Sequence, residues 1–242
     1  MNSASVLAHQ SNSTRSCPRS TVCVVDDDDS VRESLEQLIH NAGWAAETYT
    51  SAEEFLARKQ AAVPGCLILD IGLPGLDGLE LQRRLGRSAT PIPIIFIAEY
   101  ADVPMTVRAM KAGAVEFLIK PLSERALLSA IHEALARSYA ACAHETDIRS
   151  LRDRYAALSA RERDVMILVV AGLLNKQVGG QLGISEVTVK AHRGKMMRKM
   201  QAASFADLVQ MAVMLDVLQP GNPDLAANAA ARMLSRFTVS SG

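Results

Sequence analysis

Between residue 21 and about residue 138, apolar positions come in short runs, TVCVV, CLILD, PIIFIA and AVEFLI. They are separated by longer stretches in which apolar residues recur every three or four positions. Several of the runs are apolar without alternation, the pattern of strands covered on both faces, and the stretches between them have helical period. The pattern predicts a βα repeat with a parallel sheet. WAAETYT (44–50) is read as a further strand, although it is less apolar than the others. Helix starts are marked by Ser51-Ala-Glu-Glu54, which fits a capping box ahead of Phe55 and Leu56, and by Ser123, which follows Pro121 and precedes a long helical pattern.

From Pro121 to Gly172 the chain contains no Gly or Pro, and Leu127, Leu128, Ile131, Leu135, Tyr139 and Cys142 keep helical spacing. The last helix of the βα region therefore continues into a helical linker, whose charges thicken over HETDIRSLRDR (144–154). Ser159-Ala-Arg-Glu162 then opens a new helix with a second capping box, carrying Val165, Met166, Leu168 and Val169 and stopping at Gly172. An all-helical domain starts there. The expected division is a Ser-rich disordered tail over 1–20, an α/β domain over 21–138, a linker over 139–153, a helical domain over 154–217 and an Ala/Asn-rich extension of no assigned role over 218–242.

Composition agrees with two globular domains: of 242 residues, 49% are hydrophobic and 21% charged, which excludes disorder throughout. The formal net charge of zero conceals an asymmetry. Residues 21–140 hold 17 Asp/Glu against 11 Lys/Arg, whereas 151–218 hold 10 Lys/Arg against 6 Asp/Glu, so the two halves suit different partners. No apolar run approaches the roughly 18 residues of a membrane span, and the first twenty residues lack the apolar core of a secretory signal, so a cytoplasmic location is expected. The cysteines, Cys17, Cys23, Cys66 and Cys142, are scattered, and no cysteine metal site or disulfide framework is read.

Three polar signals fall at the ends of three predicted strands: Asp26-Asp27-Asp28-Asp29 after VCVV, Asp70 after CLIL, and Lys120-Pro121 after EFLI. In an open parallel α/β sheet ligands bind beyond the carboxyl ends of the strands, so these groups converge although distant in sequence. Three carboxylates brought together repel unless a cation neutralises them, and a hard divalent ion, Mg²⁺, suits an all-oxygen set. Lys120 can pair with a carboxylate or with a phosphoryl oxygen. For Asp28 and Asp29 a plainer reading, acidic side chains at a helix start, stands beside this one.

VVDDDDSVRESL, LILDIGLPGLDGLEL and VPMTVRAMKAGAVEFLIKP resemble the receiver domain of two-component response regulators, especially the FixJ-like branch, over about residues 21–138. The resemblance implies a flavodoxin-like fold with a five-stranded sheet of order 2-1-3-4-5. It makes Asp70 the phosphoacceptor, Asp27 a direct Mg²⁺ ligand, Asp26 its partner largely through water, the carbonyl of Gly72 a further ligand and Lys120 the phosphoryl contact. It also implies a cis peptide before Pro121, and a switch aromatic at Phe117. One departure stands out: the family usually has Thr or Ser at the end of the fourth strand, where FIAEYAD places Ala98.

Residues 173–200, LLNKQVGGQLGISEVTVKAHRGKMMRKM, contain a short helix around Lys176–Leu182, a turn at Gly183 and a helix capped by Ser185, a helix-turn-helix pattern. In the second helix Val189, Met196 and Met200 share one face, and Glu186, Lys190, Arg193 and Gly194 another. Lys190, His192, Arg193, Lys195, Arg198 and Lys199 concentrate positive charge on that helix, which suits a major groove lined by phosphates; a basic solvated helix of no special role is the plain alternative. From about 154 to 216 the chain is similar to the LuxR-type helix-turn-helix of FixJ and NarL relatives, a four-helix domain. That resemblance implies base contacts by Lys190, Ala191 and Gly194 and phosphate contacts by Ser185, Thr188, Arg193 and Lys195. Gly179 and Gly180 stand where relatives prefer Ala or a similar residue, which softens the first of the two helices.

The function expected from these resemblances is transcription regulation driven by phosphorylation of Asp70, with a sensor histidine kinase, double-stranded promoter DNA, RNA polymerase and a second copy of the chain as partners, and no membrane. Ala98 keeps open a regulator of the same fold acting largely without phosphorylation. A Mg²⁺-dependent phosphohydrolase of the haloacid dehalogenase type is disfavoured, because Asp70-Ile71-Gly72 lacks a second Asp two residues after the nucleophile. A receiver acting only through protein contacts is opposed by the basic second domain.

Overall fold

The computed structural model describes residues 20–58, 65–86, 91–100 and 102–217. The Ser-rich stretch over 1–19 and the extension over 218–242 lie outside the described residues. The chain forms two compact units, one ending at Ala143 and the other starting at His144.

The first unit alternates strands and helices: β1 (Thr21–Val25), α1 (Asp29–Asn41), β2 (Ala45–Tyr49), α2 (Ala52–Ala57), β3 (Gly65–Asp70), α3 (Gly78–Leu85), β4 (Ile94–Ala98), α4 (Val103–Lys111) and β5 (Glu116–Ile119), followed by α5 (Glu124–Ala156), which spans the division between the units. The strands are parallel in the order β2-β1-β3-β4-β5. Unalternating apolar strands have their reason here, because successive side chains point to opposite faces and both faces are covered. Val22, Val24, Cys66, Ile68, Ile95 and Ile97 pack beneath Leu35 and Ile39 of α1 and Leu127, Ile131 and Leu135 of α5. On the other face Cys23, Val25, Leu67, Leu69, Ile94 and Phe96 meet Phe55 of α2, Leu81 and Leu85 of α3 and Ala109 of α4. Burial pushes the Cys23 thiol up to about 11, and the Cys66 thiol is raised by the same cause, so both behave as small apolar groups. The less apolar segment 44–50 supplies β2, an edge strand with no fully buried residue.

In the second unit α5 ends and is followed by α6 (Ala160–Val170), α7 (Asn175–Leu182), α8 (Glu186–Met200) and α9 (Phe205–Met214). Ser159 and Glu162 form the complete capping box: Ser159 Oγ accepts the Glu162 N–H at 3.3 Å and Glu162 Oε2 accepts the Ser159 N–H at 2.8 Å. The corresponding box at Ser51 is shifted. Ser51 Oγ caps Glu54 N–H, but the Glu54 carboxylate reaches one residue further back and accepts from the amide and hydroxyl of Thr50. Met166, Met196, Met200 and Leu208 build one core, and Val165, Val169, Val178 and Val189 a second beneath the helix-turn-helix. Gly183 turns the chain between α7 and α8 at φ +68°, a left-handed conformation that suits glycine. Among the described residues no helix is long and apolar enough to cross a membrane.

Candidate functional site

At the point where the sheet order reverses, β1 and β3 lie side by side, and their carboxyl ends deliver Asp26 and Asp70 to one place. One oxygen from each of Asp26, Asp27 and Asp70 lies within 4.8 Å of the others. Asp26 and Asp70 are buried, whereas Asp27 is exposed. Lys120, at the end of β5, reaches across both buried carboxylates, with Nζ 2.9 Å from Asp26 Oδ2 and 2.6 Å from Asp70 Oδ2. The second oxygen of each acid is held by backbone: Asp28 N–H donates to Asp26 Oδ1 at 2.9 Å and Gly72 N–H to Asp70 Oδ1 at 2.7 Å.

Burial pushes the Asp26 carboxyl above its ordinary value, against the pull of the Lys120 and Asp28 hydrogen bonds. Burial likewise works to lower the Lys120 pKa, but hydrogen bonding to Asp26 and Asp70 outweighs it and holds the ammonium above the ordinary lysine value. One ammonium against three carboxylates leaves uncompensated negative charge in an all-oxygen site, and that charge, with exposed Asp27 open to water, fits a hard divalent cation. Arg32 does not offset it there, because its guanidinium is engaged by the Asp26 carbonyl at 2.6 Å and by the Asp29 carboxylate. Asp28 caps α1, accepting from Ser30 N–H at 2.8 Å, so the second half of the acidic run serves the helix start.

Ala98 closes β4 and is 1% exposed, and its carbonyl accepts the Lys120 N–H at 2.8 Å, which ties the end of β4 to the residue that spans the acidic pair. Phe117 is half-buried against Phe96, with ring centroids 6.1 Å apart. The Lys120–Pro121 peptide is cis.

In the second unit Val189, Met196 and Met200 of α8 are buried, the face the apolar spacing selects. Ser185 Oγ caps α8 by accepting the Thr188 N–H at 3.2 Å and also pairs with the Thr188 hydroxyl at 2.8 Å. Lys190 pairs with Glu186 at 3.0 Å one turn back, while Ala191 and Lys195 are exposed. Gly194 is partly exposed, and a Cβ there would meet only the tip of Arg198, at 3.9 Å. Arg193 is half-buried: Nη1 donates to Asn175 Oδ1 at 3.2 Å and the guanidinium lies 5.2 Å from the Phe205 ring centre. Lys199, although exposed, is also engaged within the fold, donating to Glu162 Oε2 at 2.6 Å and to the Ala157 carbonyl at 3.1 Å. The Lys199 hydrogen bond in turn holds the buried Glu162 carboxyl below its ordinary value.

Residues 22–132 match the response regulator receiver domain, and residues 156–212 match the bacterial regulatory proteins of the luxR family. Nodulation protein W of Bradyrhizobium diazoefficiens is 44% identical over 208 residues, covering 86% of this chain and 92% of the relative. The response regulator protein TodT of Pseudomonas putida is 43% identical over 192 residues, covering 79% and 85% respectively. The solved structure of the response regulator StyR superposes with a TM-score of 0.71 at 45% identity, over 81% of this chain and 99% of that one. The chain belongs to the two-component response regulators, with a LuxR-type output domain.

As a response regulator it places its acidic groups where the strand-end reasoning expects them. Sequence reasoning missed three participants. Arg32 buttresses the Asp26 backbone, and its spacing of three from Asp29 on one helix was a signal that could have found it. Asn175 and Phe205, which hold Arg193, lie on other helices and left no local sign.

Proposed function

We propose that Asp70 of this response regulator accepts a phosphoryl group from a sensor histidine kinase, and that the modification controls dimerisation and DNA binding. The single observation that carries the reading is the position of Asp70, buried at a strand end between two further carboxylates and the Lys120 ammonium. The carboxylates of Asp26, Asp27 and Asp70 and the carbonyl of Gly72 would hold Mg²⁺, which would supply neutralisation of the charge on the transferring group. An Asp70 oxygen attacks phosphorus in line; the new P–O bond forms as the P–N bond of the phosphohistidine breaks, and its electron pair stays with the imidazole. Lys120 then moves its hydrogen bond from the Asp70 carboxylate to a phosphoryl oxygen. Residues 21–138 form the regulated module, 139–153 the connector and 154–217 the DNA-binding module.

For the second copy of the chain, α4 and β5 offer an apolar face: Val103, Val107 and Met110, spaced along one side of α4, and Ile119 are all exposed. On DNA, α8 enters the major groove with Lys190, Ala191 and Gly194 toward the bases and Ser185, Thr188 and Lys195 toward phosphates, Arg193 being held back by Asn175 and Phe205, and the bound dimer contacts RNA polymerase. Ala98 favours a second reading, in which phosphorylation proceeds but moves the dimer and DNA equilibria little, because the hydroxyl that would bind the phosphoryl group is missing.

Acetyl phosphate with Mg²⁺ tests the site. The natural protein should gain the mass of one phosphoryl group and Asp70→Asn should gain none. An unchanged natural protein, or an equal gain in Asp70→Asn, overturns the assignment.

A further inference from the structure

The helix-turn-helix leaves one feature that charge does not explain. Val187, in the first turn of α8, is 76% exposed. A single exposed valine is ordinary on a protein surface. This one opens a line. Ala191, four residues on, is exposed and small; Gly194, three further on, is partly exposed and has no side chain. At 100° per residue these positions fall within about 60° of one another and opposite the buried Val189, Met196 and Met200. The outward line of α8 is therefore apolar and low for about two turns. Lys190 flanks it on one side and Lys195 on the other, with exposed Arg198 beyond its end. Cations on both edges mark the line as the one that faces a polyanion.

An apolar side chain taken out of water in a major groove gains only against an apolar partner, and the unmodified groove has one, the C5 methyl group of thymine. Resting on the DNA-binding reading above, we propose that Val187 and Ala191 are specificity-determining residues that pack on thymine methyl groups, while Gly194 lets the helix backbone approach the base pairs. The rise between Val187 and Ala191 is about 6 Å, close to two base-pair steps of about 3.4 Å, so the two methyl contacts fall within two steps of each other in each half-site.

The test uses the full-length protein treated with acetyl phosphate and Mg²⁺ and duplexes selected by it from a random pool. The selected half-sites should hold thymine at two fixed positions within two steps. Replacing thymine by uracil at the position under Val187 removes only the methyl group and should weaken binding about fourfold, the worth of one buried methyl. Placing 5-methylcytosine where cytosine has replaced that thymine should recover most of the methyl-dependent part of the loss. Val187→Ser should bind the thymine and uracil duplexes equally while keeping its affinity for random DNA. Selected sites without fixed thymines, or a Val187→Ser protein that still prefers thymine over uracil, overturn the proposal while leaving DNA binding intact. Failure to bind any duplex overturns the DNA-binding reading itself, and this proposal with it.

Discussion

The acidic site of the receiver and the basic helix of the output domain are built in opposite ways. In the receiver, groups from three strands up to 94 residues apart are drawn into one buried cluster, where Lys120, Asp26 and Asp70 satisfy one another. In the output domain the chemistry lies on a single 15-residue helix, and most of its polar groups are exposed or held by a neighbour that can be exchanged. Removing one member of the buried cluster leaves the others desolvated and unpaired, whereas removing one side chain of the exposed helix subtracts a contact. The receiver site should therefore respond to mutation as a unit, and the helix roughly additively.

Ala98→Thr is the strongest way to break this contrast, because it adds a hydroxyl to the clustered site instead of removing a member. A hydrogen bond to a charged acceptor is worth about 1.5–3 kcal/mol. The gain in DNA affinity produced by beryllofluoride, a phosphoryl mimic, should accordingly be roughly ten- to a hundredfold larger in Ala98→Thr than in the natural protein. A natural protein that already gains a hundredfold, with nothing added by Ala98→Thr, would show that the missing hydroxyl is irrelevant.

A smaller effect sharpens the other side. Lys190→Ala should weaken binding to a selected site by roughly tenfold more than binding to random duplex, while Lys195→Ala should weaken both alike, since phosphate contacts carry no sequence information. Equal losses across sequences for both variants would mean that Lys190 does not reach the bases. The smallest effect concerns α7. A Cβ at Gly180 would meet nothing within 4 Å, so Gly180→Ala should stabilise the protein by about 0.5–1 kcal/mol in urea unfolding. A Cβ at Gly179 would lie 2.7 Å from the Ile184 carbonyl oxygen, inside the turn that sets α8, and Gly179→Ala should show none of that gain. Equal stabilisation by both would show that the turn gives way freely.

The contrast also decides what could be read in advance. Strands covered on both faces announce themselves as unbroken apolar runs, and the rule that ligands gather at strand ends brings Asp26, Asp70 and Lys120 together without any knowledge of side-chain geometry. The edge strand β2, covered less fully, left a fainter trace in WAAETYT. On α8 the buried face was legible from the spacing of Val189, Met196 and Met200, but the state of the cations was not. Arg193 finds Asn175 at 18 residues' remove and Lys199 finds Glu162 at 37, pairings set by how four helices pack and by no local period. The same holds at Thr50, where Glu54 passes over the residue that a capping box would choose.

The intramolecular pairing of Arg193 and Lys199 has a thermodynamic consequence for counterions. Five Lys and Arg residues lie on α8, and if each displaced condensed cations from a phosphate, the logarithm of affinity would fall with the logarithm of salt at about −4.5 per half-site, taking about 0.9 for each phosphate neutralised. With Arg193 and Lys199 engaged by Asn175, Phe205, Glu162 and Ala157, and Lys190 turned to the bases, the cations left for phosphates are Lys195 and Arg198, and the slope from this helix drops to about −1.8. A helix that holds two of its cations for its own fold binds random DNA less tightly at low salt, and it leaves a larger share of its affinity to the contacts that distinguish one sequence from another.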